Sequence, residues 1–170
     1  PISSISQAYL ADPNIKGTPY EDGIQAIQKT SESLSNFVRN FRTITLVQEP
    51  DMREVNLAGL CRSLRSLYPD LTWHTDIAPD TCIRADESMM MQVLTNLTKN
   101  AVEAGATDMD IRWNKALYVS NNGAPIPAEV RGEMFVPFFT TKRSGSGIGL
   151  SLSRQMTVMQ GMKLSLAERP

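Results

Sequence analysis

Phe135-Val136-Pro137-Phe138-Phe139-Thr140-Thr141-Lys142-Arg143-Ser144-Gly145-Ser146-Gly147-Ile148-Gly149-Leu150 runs from an aromatic cluster through a short polar hinge into alternating glycines. An amphipathic segment comes directly after, and its pattern predicts a helix from about Gly147 to Gln160. Residues without a Cβ let a backbone approach a phosphate closely and adopt unusual φ values. The helix aims its unpaired N–H groups, and the positive end of its dipole, at an anion. Lys142 and Arg143 favour the same charge, although either is equally at home in solvent. Such a loop is weak by itself. Its meaning rests on the residues upstream.

Upstream, Asp86 is placed to cap a long helix over 87–104. Met90, Val93, Leu94, Leu97, Ala101 and Ala104 form its apolar face. Gln92, Asn96, Lys99, Asn100 and Glu103 line another face at i, i+3/i+4 spacing. Asparagine is a poor helix former, so two of them four apart invite a functional reading beside the plainer one of a solvated polar face. A carboxamide oxygen is a hard, neutral donor suited to a Mg²⁺ otherwise held by waters and phosphates.

Around this helix the pattern is mixed α/β. Asn56 precedes an amphipathic helix (Leu57, Leu60, Cys61, Leu64, Leu67) that ends before Pro69. Residues 71–77 alternate as a half-buried strand, and Cys82-Ile83-Arg84 is a short one. Strands at 109–113 and 116–120 form a hairpin around Asn114-Lys115, leading into the loop Asn121-Asn122-Gly123-Ala124-Pro125. A short helix is expected over roughly 127–134, and a last strand over 162–166. Towards the N-terminus, residues 1–11 resemble the end of a helix. A second helix runs from Tyr20 to about Leu46, with Ile24, Ile27, Ser31, Leu34, Val38, Phe41 and Thr45 at the 3-4 spacing of a bundle seam. Polar seam positions limit the burial this pair achieves alone, so it is expected to pair with a second copy. Glu49-Pro50-Asp51 marks the boundary.

A chain of 170 residues holds one domain with a sizeable core plus an appendage, and 41% hydrophobic with 21% charged residues is ordinary for a globular protein. A net charge of −1 argues against nucleic acid as a partner. Cys61 and Cys82 have no metal spacing and are expected to be reduced, buried thiols of a cytoplasmic protein. No apolar run approaches a membrane span, so no membrane contact is expected from this chain.

Asn96-Leu97-Thr98-Lys99-Asn100-Ala101 resembles the asparagine box of sensor histidine kinases. Asn121-Asn122-Gly123 resembles their first glycine box, Phe135 to Phe139 their phenylalanine box, and Gly145 to Leu150 their second glycine box. Order and spacing match over residues 86–161. The resemblance implies an α+β fold: a two-layer α/β sandwich of the Bergerat type, shared with DNA gyrase and mismatch-repair MutL, preceded by an α-helical hairpin. It divides the chain into a dimerisation hairpin, 1–48, and an ATP-binding catalytic domain, 52–170. It further implies ATP and Mg²⁺ as cofactors, with Asn100 on the metal and Asn96 supporting the phosphate side. Asn121 contacts the adenine and Gly123 lets the ring approach. Residues 140–149 become a mobile lid, with Thr140, Thr141, Lys142, Gly145, Ser146, Gly147, Gly149 and Leu150 around the triphosphate and Lys99 beside it. The aromatic residues Phe135, Phe138 and Phe139 are expected beneath this lid. Expected partners are a second copy through residues 1–47 and a response regulator receiver domain.

Two departures qualify the resemblance. The first glycine box usually opens with Asp, whose carboxylate accepts from the adenine amino group. Asn121 is a weaker, neutral acceptor that can also donate, which lowers affinity and blunts discrimination against guanine. Second, the only histidine is His74, on the polar side of a strand, so no phosphoacceptor is present. Pro1-Ile2-Ser3-Ser4 resembles the segment just after that acceptor histidine in the family, which suggests part of a longer kinase. The hydrolases of this superfamily carry a glutamate four residues before the metal asparagine. Here that residue is Asn96, a poor base. The leading expectation is phosphoryl transfer from ATP to a histidine upstream and on to a response regulator. The alternative is a catalytically idle nucleotide-binding scaffold.

Overall fold

The computed structural model describes residues 2–45, 49–142 and 145–167, including the side chains of all of these but 33 and 36–45. The chain divides into two compact units, Pro1–Val47 and Gln48–Pro170.

In the first unit, α1 (Ile2–Leu10) and α2 (Pro19–Thr45) form an antiparallel hairpin in which Ser3 Oγ meets Ser31 Oγ at 3.0 Å. Their connection is locally determined. Asp12 Oδ1 accepts from the backbone and side-chain nitrogens of Asn14, and the Gly17 N–H donates to Glu21 at 2.6 Å. Pro19 opens α2, where a missing N–H costs nothing, and Glu21 and Asp22 complement the dipole of its first turn. Ile2, Ile5, Tyr9, Ile27 and Leu34 remain exposed, Ile27 at 53% and Leu34 at 61%. Seam residues Val38, Phe41 and Thr45 lie outside the described side chains.

Among its described residues the second unit builds two sheets and three α-helices. β1 (Arg53–Asn56) pairs antiparallel with β3 (Cys82–Ala85), with Val55 opposite Ile83. β2 (Thr72–Asp76) runs parallel to β4 (Asp108–Trp113), which pairs antiparallel with β5 (Leu117–Asn121). Period-two alternation sends Trp73, Met109, Ile111 and Val119 to one face, where they meet the helices. On that face α3 (Leu57–Leu67) and α4 (Glu87–Glu103) contribute Leu57, Leu60, Cys61, Leu64, Met90 and Leu94 to a continuous core. Four of these leucines (57, 60, 64 and 94) are at most 2% exposed, each contributing about 2 kcal/mol. The opposite face of the sheet carries His74, Asp110 and Arg112 to solvent, with an Arg112–Asp110 ion pair. α5 (Gly149–Met159) packs on α4 through Leu152, Ser153 and Met156. The fold is therefore α+β, with helices layered on one side of a mixed sheet.

Sequence expectations need four corrections. The helix expected over 127–134 is only a 3-10 turn, Ala128–Val130, opened by Pro127, which has no N–H to give. Residues 162–167 form no strand: the Met162 N–H turns back to Thr157 O, and no described strand offers them a ladder. A strand exists only with a partner for its backbone groups. Cys61 is buried, and burial pushes its thiol pKa up, but Cys82 is exposed at the rim of β3 near Asn56. Finally, β1 has no counterpart among the expected strands.

Candidate functional site

α4 is fixed at its start. Asp86 caps it, accepting from the Met89 N–H at 3.0 Å and the Ser88 hydroxyl at 2.8 Å, while its other oxygen accepts from the Asp51 N–H at 2.9 Å. These bonds, that from Met89 foremost, hold the Asp86 carboxyl below the usual carboxylate range. The Asp86 N–H donates in turn to Gln160 Oε1 at the far end of α5. In mid-helix, the Asn96 Nδ2 donates to Gly149 O at 3.4 Å and Ser153 Oγ at 3.2 Å. Asn96 is thus turned towards the start of α5.

One turn later, Asn100 Oδ1 accepts from the Lys142 ammonium at 3.2 Å. The same ammonium pairs with Glu103, which also lies 3.9 Å from Lys99. Lys99 itself is exposed. A carboxamide oxygen and a carboxylate already holding a cation form a hard, all-oxygen donor set that fits Mg²⁺. Among the described residues no three His, Cys, Asp or Glu side chains gather as a metal site. Mg²⁺ is bound through few protein ligands plus substrate phosphates, so the donor set is of the right kind.

The loop after β5 is tied to the end of α4. The Ala124 N–H donates to Ala104 O at 2.9 Å. A Cβ on Gly123 would lie 3.1 Å from Ala104 O and 3.2 Å from its methyl, so only glycine fits without displacement. Asn121 Oδ1 accepts from the Gly123 N–H at 2.9 Å. Asn122 clamps the loop to the head of β4: its Oδ1 accepts from the Thr107 and Asp108 N–H groups, and its Nδ2 donates to Thr107 Oγ1 and Asp108 Oδ2.

The glycine-rich stretch begins with a close crossing. Phe138 and Gly147 both have positive φ, 69° and 66°, and the Phe138 N–H donates to Gly147 O at 2.9 Å. Thr140 Oγ1 accepts from the Lys142 N–H at 3.1 Å and lies beside Gly145. Thr141, Gly145 and Ser146 are exposed; Leu150 is half-buried on α5. Arg143 lies outside the described residues. α3 and α4 have side-chain caps, from Asn56 and Asp86, but α5 has none, and no acid sits in its first turn. Its N-terminal amides are therefore available to an external anion. The aromatic cluster does not form a buried floor: Phe138 is 46% exposed, and Phe135 is half-buried with the Arg154 guanidinium 5.2 Å from its ring centre.

The structure thus brings Asn96 to Gly149, Asn100 to Lys142, and Gly123 to the end of α4. Sequence reasoning missed Ser153 and Asn122. For Ser153 a signal existed, since it stands four residues after Gly149 on one helix face. An open depression of about 480 Å³ on the outer sheet face, lined by Trp73, His74, Thr75, Asp76, Asp110 and Arg112, contains none of these residues. His74 is exposed there beside Asp108 at 3.4 Å, as expected of a surface histidine.

Comparison with known proteins gives the chain its relatives. Residues 85–170 match the family of histidine kinase-, DNA gyrase B-, and HSP90-like ATPases. The nitrogen regulation protein NtrY of Azorhizobium caulinodans is 27% identical over 158 residues, 85% of this chain and 20% of that protein. Sensor histidine kinase GlrK of Escherichia coli K12 is 38% identical over 154 residues, 79% of this chain and 32% of that protein. The chain therefore spans only a fifth to a third of these relatives. Among solved structures, a nucleotide-free catalytic domain of histidine kinase ThkA is 35% identical with a TM-score of 0.54, covering 63% of this chain and 80% of that one. ThkA in complex with response regulator protein TrrA is 26% identical with a TM-score of 0.67, covering 99% of this chain and 53% of that one. Four ordered motifs, a mixed sheet under α4 and these relatives converge: the chain belongs to the histidine kinase-, DNA gyrase B- and HSP90-like ATPase family and carries the ATP-binding catalytic domain of a histidine kinase.

Proposed function

We propose that this chain is the ATP-binding and catalytic portion of a two-component sensor histidine kinase. It transfers the ATP γ-phosphoryl to a histidine outside residues 1–170, from which the group passes to a response regulator aspartate. The observation that carries the reading is the polar face of α4, where Asn96 holds the start of an uncapped helix and Asn100 holds a cation one turn away. Asn100 and Glu103 are the residues that would hold Mg²⁺, which supplies neutralisation of phosphate charge. The amides at the start of α5 and the glycines 145, 147 and 149 bind the phosphates, with Lys142, Thr140 and Thr141 beside them. Asn121 and Gly123 take the base.

Phosphoryl transfer depends mainly on positioning and charge stabilisation. Asn96 supports transfer over hydrolysis, because a carboxamide whose nitrogen is engaged by Gly149 and Ser153 cannot deprotonate water. The exposed Ile27 and Leu34 support homodimerisation through residues 1–47. The response regulator is the partner expected by analogy with ThkA.

Calorimetric titration with Mg·ATP and Mg·ADP, beside Asn100→Ala, tests the site. Saturable, Mg²⁺-dependent binding lost in the variant is expected; absence of binding to the parent chain sinks the reading. A second reading, a nucleotide-binding scaffold without transfer, is favoured by Asn121 at the base position. γ-Labelled ATP, offered with a histidine-bearing hairpin, separates the two: acid-labile, alkali-stable label means transfer, and none means scaffold.

A further inference from the structure

We infer that Asn121 makes this site select purines bearing a hydrogen-bond acceptor at position 6, guanine or hypoxanthine, over adenine. The inference rests on the proposal that Asn121 faces the base, and it reverses the selectivity that an aspartate there gives.

The argument turns on which end of the carboxamide faces outward. The Gly123 N–H lies 2.9 Å from Asn121 Oδ1. A backbone N–H can only donate, so the atom it meets must be the oxygen; the flipped amide would set two donors against each other. With the oxygen engaged by Gly123, the group left to face a ligand is Nδ2, a pure donor. Asn121 is exposed, and no described residue takes that donor. An aspartate in the same pose would keep one oxygen on the Gly123 N–H and present the other as an acceptor. One atom therefore converts the outward group from acceptor to donor.

The loop resists rearrangement that would turn the oxygen outward. Asn122 makes four hydrogen bonds to Thr107 and Asp108 on one side of Gly123, and the Ala124 N–H is bonded to Ala104 O on the other. Gly123 is itself pressed against Ala104. Rotating the Asn121 side chain would surrender the Gly123 bond, so the oxygen-out state is the less populated one.

Adenine carries a donor at position 6, its exocyclic amino group, whereas guanine and hypoxanthine carry a carbonyl acceptor. Nδ2 against a carbonyl makes a bond; Nδ2 against an amino group makes none and strips water from both. The difference amounts to roughly tenfold in affinity.

The experiment is calorimetric titration of the 170-residue chain and of Asn121→Asp with the Mg²⁺ complexes of ATP, GTP and inosine triphosphate. Inosine triphosphate isolates the position-6 contact, because it lacks the 2-amino group of guanine. The expected result is that the parent binds both 6-oxopurine nucleotides about tenfold tighter than ATP, and that Asn121→Asp reverses the order. A parent chain that binds ATP as tightly as, or more tightly than, inosine triphosphate overturns the inference, while saturable ATP binding to Asn121→Asp leaves the nucleotide site standing. Failure of every nucleotide to bind either protein overturns the inference together with the site on which it rests.

Discussion

Replacing Gly147 by alanine should damage the glycine-rich loop far more than the same change two residues earlier. Gly147 has φ +66°, a left-handed conformation that costs a residue with a Cβ about 1–2 kcal/mol. An added Cβ would lie 2.4 Å from the Phe138 carbonyl carbon and 2.7 Å from the carbonyl oxygens of Phe138 and Phe139. All three are backbone atoms, so no rotamer change relieves the overlap. The chain must separate here, losing the Phe138 N–H to Gly147 O bond and about 1 kcal/mol more. Together these come to about 2–3 kcal/mol against the closed loop, or roughly 30- to 150-fold in its population. The loop can open without unfolding the core of α3, α4 and the sheet, so the loss should appear in ligand binding more than in stability. Gly145 is the comparison: its added Cβ meets the Thr140 hydroxyl at 2.6 Å, on a side chain that can turn away at the cost of one exposed hydrogen bond from the Lys142 N–H, and alanine keeps the backbone amide proposed for phosphate. Calorimetry with Mg·ATP is expected to show at least about tenfold weaker binding for Gly147→Ala and less than about threefold for Gly145→Ala. Thermal midpoints should stay within a few degrees of the parent. Equal effects from the two substitutions would refute the steric reasoning.

Asp86→Asn should destabilise the second unit by about 1–2 kcal/mol at neutral pH: the cap to Met89 can survive on Oδ1, but an Nδ2 in place of the second oxygen leaves the Asp51 N–H unpaired. The folded-state pKa is lowered, so this stability is fully present above about pH 4 and is lost as pH falls through the folded value. Urea unfolding of both proteins should show a gap at about pH 7 that narrows as pH falls through the lowered folded-state pKa; a gap unchanged by acid would contradict the linkage. Thr98 is completely buried on α4, and its hydroxyl has no hydrogen-bond partner among the described residues. Thr98→Val should therefore raise stability by about 1 kcal/mol in denaturant unfolding, and a clear loss would show that the hydroxyl is satisfied.

Legibility in the sequence tracks the range of the interactions involved. α4 announces itself through its 3.6-residue apolar period, and its cap through Asp86 before the first apolar residue, because both are local matters. The two asparagines on its face can be read as ligands for the same reason. β1 escapes notice because Arg53-Glu54-Val55-Asn56 buries one residue only, leaving no alternation to detect. The segment 162–166 shows the opposite failure. Met162, Leu164 and Leu166 alternate well, but alternation supplies no partner for backbone groups, and residues 162–167 remain irregular. Composition favours burial for a cysteine such as Cys82, whereas its place at the rim of a two-stranded sheet decides otherwise. The Lys142 contacts with Asn100 and Glu103 span about forty residues and have no local signature at all.

α4 is what makes one site out of motifs scattered over about fifty residues. Its start is locked by Asp86 to Asp51 and to Gln160, its middle by Asn96 to the head of α5, and its end by Ala104 to the loop after β5. Asn96 and Asn100 stand four apart on one stripe and Ala104 closes the same helix, so the contacts to α5, to Lys142 and to the loop after β5 succeed one another along a single rigid rod. On the proposed reading, the distance from a base at Asn121 to phosphates at α5 is set by helix geometry, at about 1.5 Å per residue, and not by loop conformation. The Lys142 contact is of another kind. Its side chain and that of Glu103 are 39% and 40% exposed, and an ion pair in that environment contributes no more than about 1 kcal/mol. The same two oxygens of Asn100 and Glu103 are those proposed to hold a divalent ion that arrives with a triphosphate, in place of the single ammonium. On the proposed reading, the floor of the site is therefore prebuilt by α4, and the ammonium now lying on it is held weakly enough to be exchanged on binding.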